Sequence, residues 1–335
     1  IGSEEGKYTY QLHTKVSKQD AKHILQHTGV VIPFLEGENR VKFQLGKGAY
    51  GKVRIAKLKD MTHYFAVKKI KGEKQIRESR LEGAFLKKLA NTPNIIPLYD
   101  EFESIDSNED KVLYQFMLLA GFGDGDCLMK KLRILKEETR GKTLTHVAQG
   151  LLNGVALMQE KDIYHFDIKP SNFMMDKQGN LYIIDFGCAQ ELLEGELTRP
   201  AQGDWAFFSP ERLAFTAGIL NKKQMPPISA EKAEAWAVGA SLLKMVKQRN
   251  SFGGPSWNAV SKRDASFFEE TLTEELQNLA VPKLLIQVIQ GLLIVNPEKR
   301  MSIAEALETL QEAETFESPD EQAVVFVKMK GLKVQ

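Results

Sequence analysis

The chain changes character once, and that change limits the folds open to it. Short apolar runs at Val41–Leu45, Val53–Leu58 and Tyr64–Ile70 are rich in β-branched and aromatic residues and are separated by turn signals, which predicts strands. Glu73–Ala90 breaks the series with Leu81, Phe85 and Leu89 at spacing four, a helical period. Two further strands are predicted at Ile95–Phe102 and Val112–Leu119, joined through the polar segment Ser104–Lys111. After three glycines within Leu118–Asp126 the pattern turns helical at Leu144–Glu160, Ser229–Val246, Pro282–Val295 and Ser302–Glu312. The exception is Asn172–Ile184, where Asp176–Asn180 separates two short apolar runs as a hairpin turn does. The expectation is an α+β chain. Residues 1–40 form an N-terminal extension, 41–121 a small strand-rich lobe and its exit, 122–315 a larger helical lobe, and 316–335 a tail or docking strand.

Composition removes several classes. With 45 basic and 44 acidic residues the net charge is +1, which gives no field to steer a nucleic acid. The two cysteines, Cys127 and Cys188, form neither a disulfide framework nor a metal-type spacing, so a cytoplasmic setting is expected. No apolar run reaches the roughly 18 residues of a membrane helix. The chain opens on Ile1 and reads as a fragment.

Four motifs carry chemistry. Gly46, Gly48, Gly51 and Val53 fit G-x-G-x-x-G-x-V, in which backbone N–H groups approach phosphate oxygens without Cβ interference. A plain turn or a dinucleotide loop shares these letters, but the latter joins a strand to a helix, whereas these glycines lie between two strands. Fifteen residues after Val53, in Phe65-Ala66-Val67-Lys68, a lysine closes an apolar strand. Of Lys68 and Lys69 one faces inward, and a buried ammonium needs a countercharge. Glu82 is the first candidate, four residues before Leu86, with Glu78 one turn earlier as the alternative. The strongest signal is His165-Phe166-Asp167-Ile168-Lys169-Pro170-Ser171-Asn172, followed thirteen residues after Asn172 by Asp185-Phe186-Gly187. Asp167 can accept a hydroxyl proton, Lys169 can neutralise a moving phosphoryl group, and Asn172 and Asp185 offer hard oxygen ligands to Mg2+.

Taken together these residues resemble the eukaryotic-type serine/threonine protein kinases, from about Val41 to Glu314. The resemblance implies a bilobal kinase fold. A five-stranded antiparallel β lobe with one key helix joins a larger, mainly α-helical lobe, and ATP sits between them. It implies ATP and Mg2+ as cofactors, Mn2+ being a second candidate, and a protein substrate. Met117 becomes the gatekeeper, Val53 and Ala66 join the cofactor-binding residues, backbone groups of Leu118 and Ala120 bond adenine, and the ribose falls to Asp124 or Asp126. Leu86, Leu98, His165 and Phe186 match the regulatory spine. Ser209-Pro210-Glu211 matches the end of the activation segment, with Arg300 as partner of the glutamate.

The departures are as informative. Phe166 replaces the arginine that usually precedes the catalytic aspartate. Asp204 stands in place of the usual threonine, and Glu234 in place of the aspartate that anchors the catalytic loop. About ten extra residues fall within Ala214–Ser229. Such a set is similar to some bacterial effector kinases, which would place the chain in a host-cell cytosol, and a regulatory protein partner is expected. The alternative function is a pseudokinase scaffold, which typically lacks the strand lysine or a metal aspartate. Lys68, Asp167, Asn172 and Asp185 all stand. Small-molecule phosphotransferases lack the activation segment, and tyrosine kinases lack a lysine placed like Lys169.

Overall fold

The computed structural model describes residues 10–12, 44–48, 51–58, 64–105, 108–248, 265–313 and 315–331. The strands Val41–Leu45 and Val53–Leu58 are observed as β2 (Gln44–Gly48) and β3 (Gly51–Leu58), with β1 (Tyr10–Leu12) ahead of them. Residues 41–43 and the turn residues 49 and 50 lie outside the described residues. β4 (Tyr64–Lys71), the helix α1 (Glu73–Lys88), β5 (Leu98–Ile105) and β6 (Lys111–Leu118) complete the first part. The described residues divide into two compact units. The first lies within Ile1–Asn91 and Ile96–Ala120, the second within Thr92–Ile95 and Gly121–Gln335.

The first unit is an antiparallel sheet in the order β1-β3-β4-β6-β5, with β2 also on β3. β2 pairs with β3 along Gly51–Arg54, and β1 takes over along Ala56–Leu58. The segment read as an extension therefore adds a sixth strand to the expected five. β5 begins at Leu98 rather than Ile95. Asn94 has a positive φ of 62°, Pro97 has no N–H to give a ladder, and Ile95, which belongs to the second unit, bridges Ile183 within it.

On α1 the buried face is not the Leu81 row. Leu81 is exposed, while Ile76, Ser79, Glu82, Gly83 and Leu86 are buried. Two polar side chains on the inner face hide this stripe from a search for apolar periodicity. Glu82 is buried because its charge is met, and Gly83 because a Cβ there would lie 2.4 Å from Glu101 Oε2.

In the second unit β7 (Gly123–Asp124), α2 (Gly125–Leu132), α3 (Glu137–Gln159) and β8 (Ile163–Tyr164) lead to β9 (Phe173–Met175) and β10 (Leu181–Ile183). The β9–β10 hairpin turns where expected. Asp176 Oδ1 accepts from the N–H groups of Gln178 and Asn180, and Gly179 supplies the positive φ of 88°. The chain continues through β11 (Gln190–Glu191), β12 (Glu196–Leu197), α4 (Pro210–Leu220), β13 (Ile228–Ser229) and α5 (Ala230–Lys247). It closes with α6 (Ala265–Gln277), α7 (Lys283–Leu292), α8 (Ile303–Thr309) and α9 (Pro319–Gly331).

α3, α5 and α7 form the core. Trp236, Val238, Leu242, Val288 and Leu292 are essentially without solvent exposure. Gly239 leaves room for Leu292, whose Cβ would be 2.8 Å from a Cβ at that position. The stretch Ala214–Ser229, where extra length was expected, holds the rest of α4 and β13, and β13 pairs with β12. The C-terminal segment is neither tail nor strand but the helix α9. Phe326 and Met329, one turn apart, are buried, and the ring of Phe326 lies 5.2 Å from that of Phe122.

Candidate active site

In the first unit the antiparallel register decides which side chains share a face. Val53 stands opposite Lys68, Lys68 opposite Gln115, and Ala66 opposite Met117. Directly opposed residues point to the same side of a sheet, so Val53, Ala66, Lys68 and Met117 lie on one face. Gly48 pairs with Gly51 at the end of the same hairpin, and Gly46 with Val53. Lys68 is the inward lysine. Its Nζ lies 2.6 Å from Glu82 Oε2, both groups being buried. Glu78 instead lies 3.9 Å from Lys74 at the surface, and Lys69 rests over the Tyr114 ring. Gln115 fastens α1 to the sheet, its Nε2 donating to Ser79 O at 2.8 Å. The Leu118 N–H donates to Pro97 O, which leaves the Leu118 carbonyl and Ala120 at the exit of the unit.

In the second unit the catalytic-loop candidates converge. Asp167 accepts from three donors: Asn172 Nδ2 at 2.7 Å, Lys169 Nζ at 2.9 Å, and the backbone N–H of Asp204 at 2.8 Å. Burial works against the charge on Lys169. Its hydrogen bond to Asp167 and the carboxylates of Asp167, Asp204 and Asp185 outweigh that and hold its pKa above the usual lysine value. Asn172 also donates to Asp167 O at 2.8 Å, so its amide oxygen is the atom left to ligate a cation. Asp185 has a left-handed backbone, φ 64° and ψ 71°, and Phe166 a φ of 61°; strain of this kind is kept where the surroundings enforce it.

His165 is fully buried and its pKa is lowered by that burial. Its Nε2 meets Ile184 O at 2.9 Å and its Nδ1 accepts from the Asp167 N–H at 3.2 Å, which assigns the neutral Nε2–H tautomer. The Phe186 ring packs edge-on against it at 4.9 Å. Of the other spine residues Leu86 is buried and Leu98 half-buried, both in the first unit.

Three substitutions read from the sequence have visible outcomes. Glu234 does the anchoring: its Oε1 accepts from the N–H groups of His165 at 2.6 Å and Phe166 at 3.2 Å, and its Oε2 from Gln159 Nε2 at 3.1 Å. Phe166 is buried with Tyr164, Leu197, Ala201, Phe215 and Ala230. Asp204 gives its N–H to Asp167, while its carboxylate lies 3.7 Å from Lys169.

Arg212 escaped the sequence reading. Its guanidinium is buried and donates to the carbonyls of Phe166, Gln202 and Ala201 at 2.9, 2.9 and 3.4 Å, 3.6 Å from the Phe208 ring centroid. Burial lowers its pKa to about 10. All three of its partners are backbone carbonyls, so no side-chain motif in the sequence points to it. Arg300 meets Glu211 through two bonds of 2.6 and 2.9 Å, as the motif implied. Asp124 caps α2 by accepting from Cys127 N–H at 2.7 Å, and Asp126 lies 3.0 Å from Lys244.

Among the described residues no group of three or more His, Cys, Asp and Glu side chains forms a metal cage. The donor set of Asn172 and Asp185 suits a cation such as Mg2+, which takes most of its shell from phosphate and water.

A salt-bridged strand lysine in the first unit and, in the second, a carboxylate held by a lysine, an asparagine and a backbone amide, with Glu211 paired to Arg300, are the residue set that the protein kinase motifs imply. The chain belongs to the protein kinase domain family, whose model matches residues 40–310. It is 27% identical over 274 residues to a "probable serine/threonine-protein kinase" of Dictyostelium discoideum, covering 78% of this chain and 36% of the relative. It is 26% identical over 296 residues to the human NUAK family SNF1-like kinase 1, covering 86% of this chain and 39% of the relative. A fission-yeast relative, the serine/threonine-protein kinase ppk31 of Schizosaccharomyces pombe, is 32% identical over 158 residues, 45% of this chain and 14% of its own length. The chain thus spans well under half the length of these relatives.

Proposed function

We propose that this chain transfers the γ-phosphoryl group of ATP, with Mg2+, to serine or threonine hydroxyls of protein substrates. The observation that carries the reading is the set of three donors, Lys169, Asn172 and the Asp204 N–H, fixed on the Asp167 carboxylate. A carboxylate so held is oriented to accept the proton of an attacking hydroxyl. Lys169 stays charged beside it and offsets the charge of the phosphoryl group in transit. Lys68, kept in place by Glu82, binds the α- and β-phosphates, and the glycines of β2 and β3 bring backbone N–H groups to the same phosphates. Asn172 and Asp185 would hold Mg2+, which supplies charge neutralisation at the phosphates when bound. The carbonyl of Leu118 and the N–H of Ala120 bond the adenine, Met117 flanks it, and Asp124 or Asp126 meets the ribose. The relatives named as serine/threonine-protein kinases, from Dictyostelium discoideum and Schizosaccharomyces pombe, and Lys169 two residues after Asp167, support serine and threonine over tyrosine. Two unpaired cysteines, Cys127 and Cys188, support a cytosolic setting.

A peptide-array assay with Mg2+ as sole metal tests the reading. Lys68→Met, Asp167→Ala and Asp185→Ala should each lose about 100-fold or more while remaining folded, and mass spectrometry should find phosphoserine or phosphothreonine. A folded Asp185→Ala with wild-type transfer would sink the site assignment, and a wild type that binds ATP and transfers nothing would favour a scaffold.

A further inference from the structure

Asp204 stands one hydrogen bond from the group that takes the acceptor proton, because its N–H donates to Asp167 Oδ1 at 2.8 Å. Whatever peptide presents a hydroxyl to Asp167 must therefore pass its flanking side chains within reach of Asp204. The Asp204 carboxylate is 42% exposed. One oxygen caps the following turn by accepting from Ala206 N–H at 3.1 Å. The other lies 3.7 Å from Lys169 Nζ, beyond hydrogen-bond distance, so it retains its capacity to accept.

The surroundings do not neutralise it. Lys169 also serves Asp167, and Arg212 is committed to three carbonyls beneath the segment. Between Gly187 and Ser209 the chain carries Glu191, Glu194, Glu196 and Asp204 against Arg199 alone. Next to Asp204, Trp205 is 55% exposed and stacks on Phe208 at 6.2 Å, where Arg212 covers Phe208 in turn. A large apolar ring kept half in water beside an open carboxylate suits a side chain with an aliphatic or planar stem and a cationic end.

We propose that Asp204 and Trp205 select substrates carrying arginine or lysine next to the phosphorylated hydroxyl and reject those carrying a carboxylate there. This deepens the proposed activity and rests on it. The test uses three serine peptides identical except for Arg, Ala or Glu on both sides of the acceptor, with the full chain and Mg-ATP.

Wild type should favour the Arg peptide over the Glu peptide by about tenfold or more in kcat/KM, mostly through KM. The ratio should shrink as salt is raised. Asp204→Asn and Asp204→Thr should bring the ratio close to one, whatever their absolute rates, and Trp205→Ala should lower the Arg rate more than the Ala rate. Equal use of the three peptides by wild type, or a ratio unchanged in both Asp204 variants, overturns the inference alone. Transfer to none of them by a chain that binds ATP overturns it together with the activity.

Discussion

Glu234 collects three donors in a place that water does not reach, and the balance of those effects has a sign. Burial raises its pKa from 4.5 to about 7, against the pull of the bonds from Gln159, Phe166 and His165. Between those values the folded chain holds a proton that the unfolded chain has released. Stability is therefore fully present below 4.5 and falls as pH rises through about 7, by an amount on the order of 3 kcal/mol. Glu234→Gln keeps an acceptor for the two loop amides and removes the titration. Its melting temperature should be flat between pH 5 and 7.5 where that of wild type declines, and a parallel decline in both would refute the assignment. Polar residues were the most legible part of the site. Lys68, Glu82, Asp167, Lys169, Asn172 and Asp185 are the residue types that the proposed phosphate and metal chemistry would call for, and Lys68 pairs with Glu82 while Glu78 lies by Lys74, as a shared face with Leu86 predicts. Arg212 was not legible, because its partners are backbone carbonyls, and carbonyls leave no trace in a sequence.

At the scale of the element, the activation segment is fixed by pairings that need no phosphate. β12 is bonded to β13, the Ala230 N–H donates to Gly195 O at 2.8 Å, and Arg212 gathers the carbonyls of Phe166, Ala201 and Gln202. Phe166, in place of an arginine, is packed into the apolar cluster beneath. The only hydroxyl side chain between Gly187 and Ser209 is Thr198, with Glu194 and Glu196 nearby in sequence. A phosphate there would meet repulsion rather than a basic pocket. Thr198→Ala and phosphatase-treated wild type should both keep full turnover. Arg212→Ala should instead leave three carbonyls without their donor, at a cost of about 3 kcal/mol or more, and protease should then cut within 190–205. Resistance equal to that of wild type would show that Arg212 is dispensable. The extra residues after Glu211 were visible as a length. Their use, as a helix and a strand that pin β12, was not, since two-residue strands carry no periodic signal.

For the molecule as a whole, the family model ends at residue 310 while the packed structure continues. Phe326 is buried against Phe122 and Phe316, a Cβ at Gly179 would strike its ring, and Lys131 Nζ donates to Met329 O at 2.8 Å. Phe326→Ala should cost about 3–5 kcal/mol, lowering Tm by several degrees; an unchanged Tm would mean that α9 is not part of the folded unit. The division into a strand-rich and a helical part was readable because glycines mark it and periodicity changes there. The terminal pieces β1 and α9 were not, because three paired residues and a helix with two buried side chains one turn apart give no pattern above background. The clamp around Arg212 has one more consequence. Its acceptors are main-chain oxygens, which every residue type supplies, so substitutions at 201 and 202 can change the surface of the segment without removing what holds it.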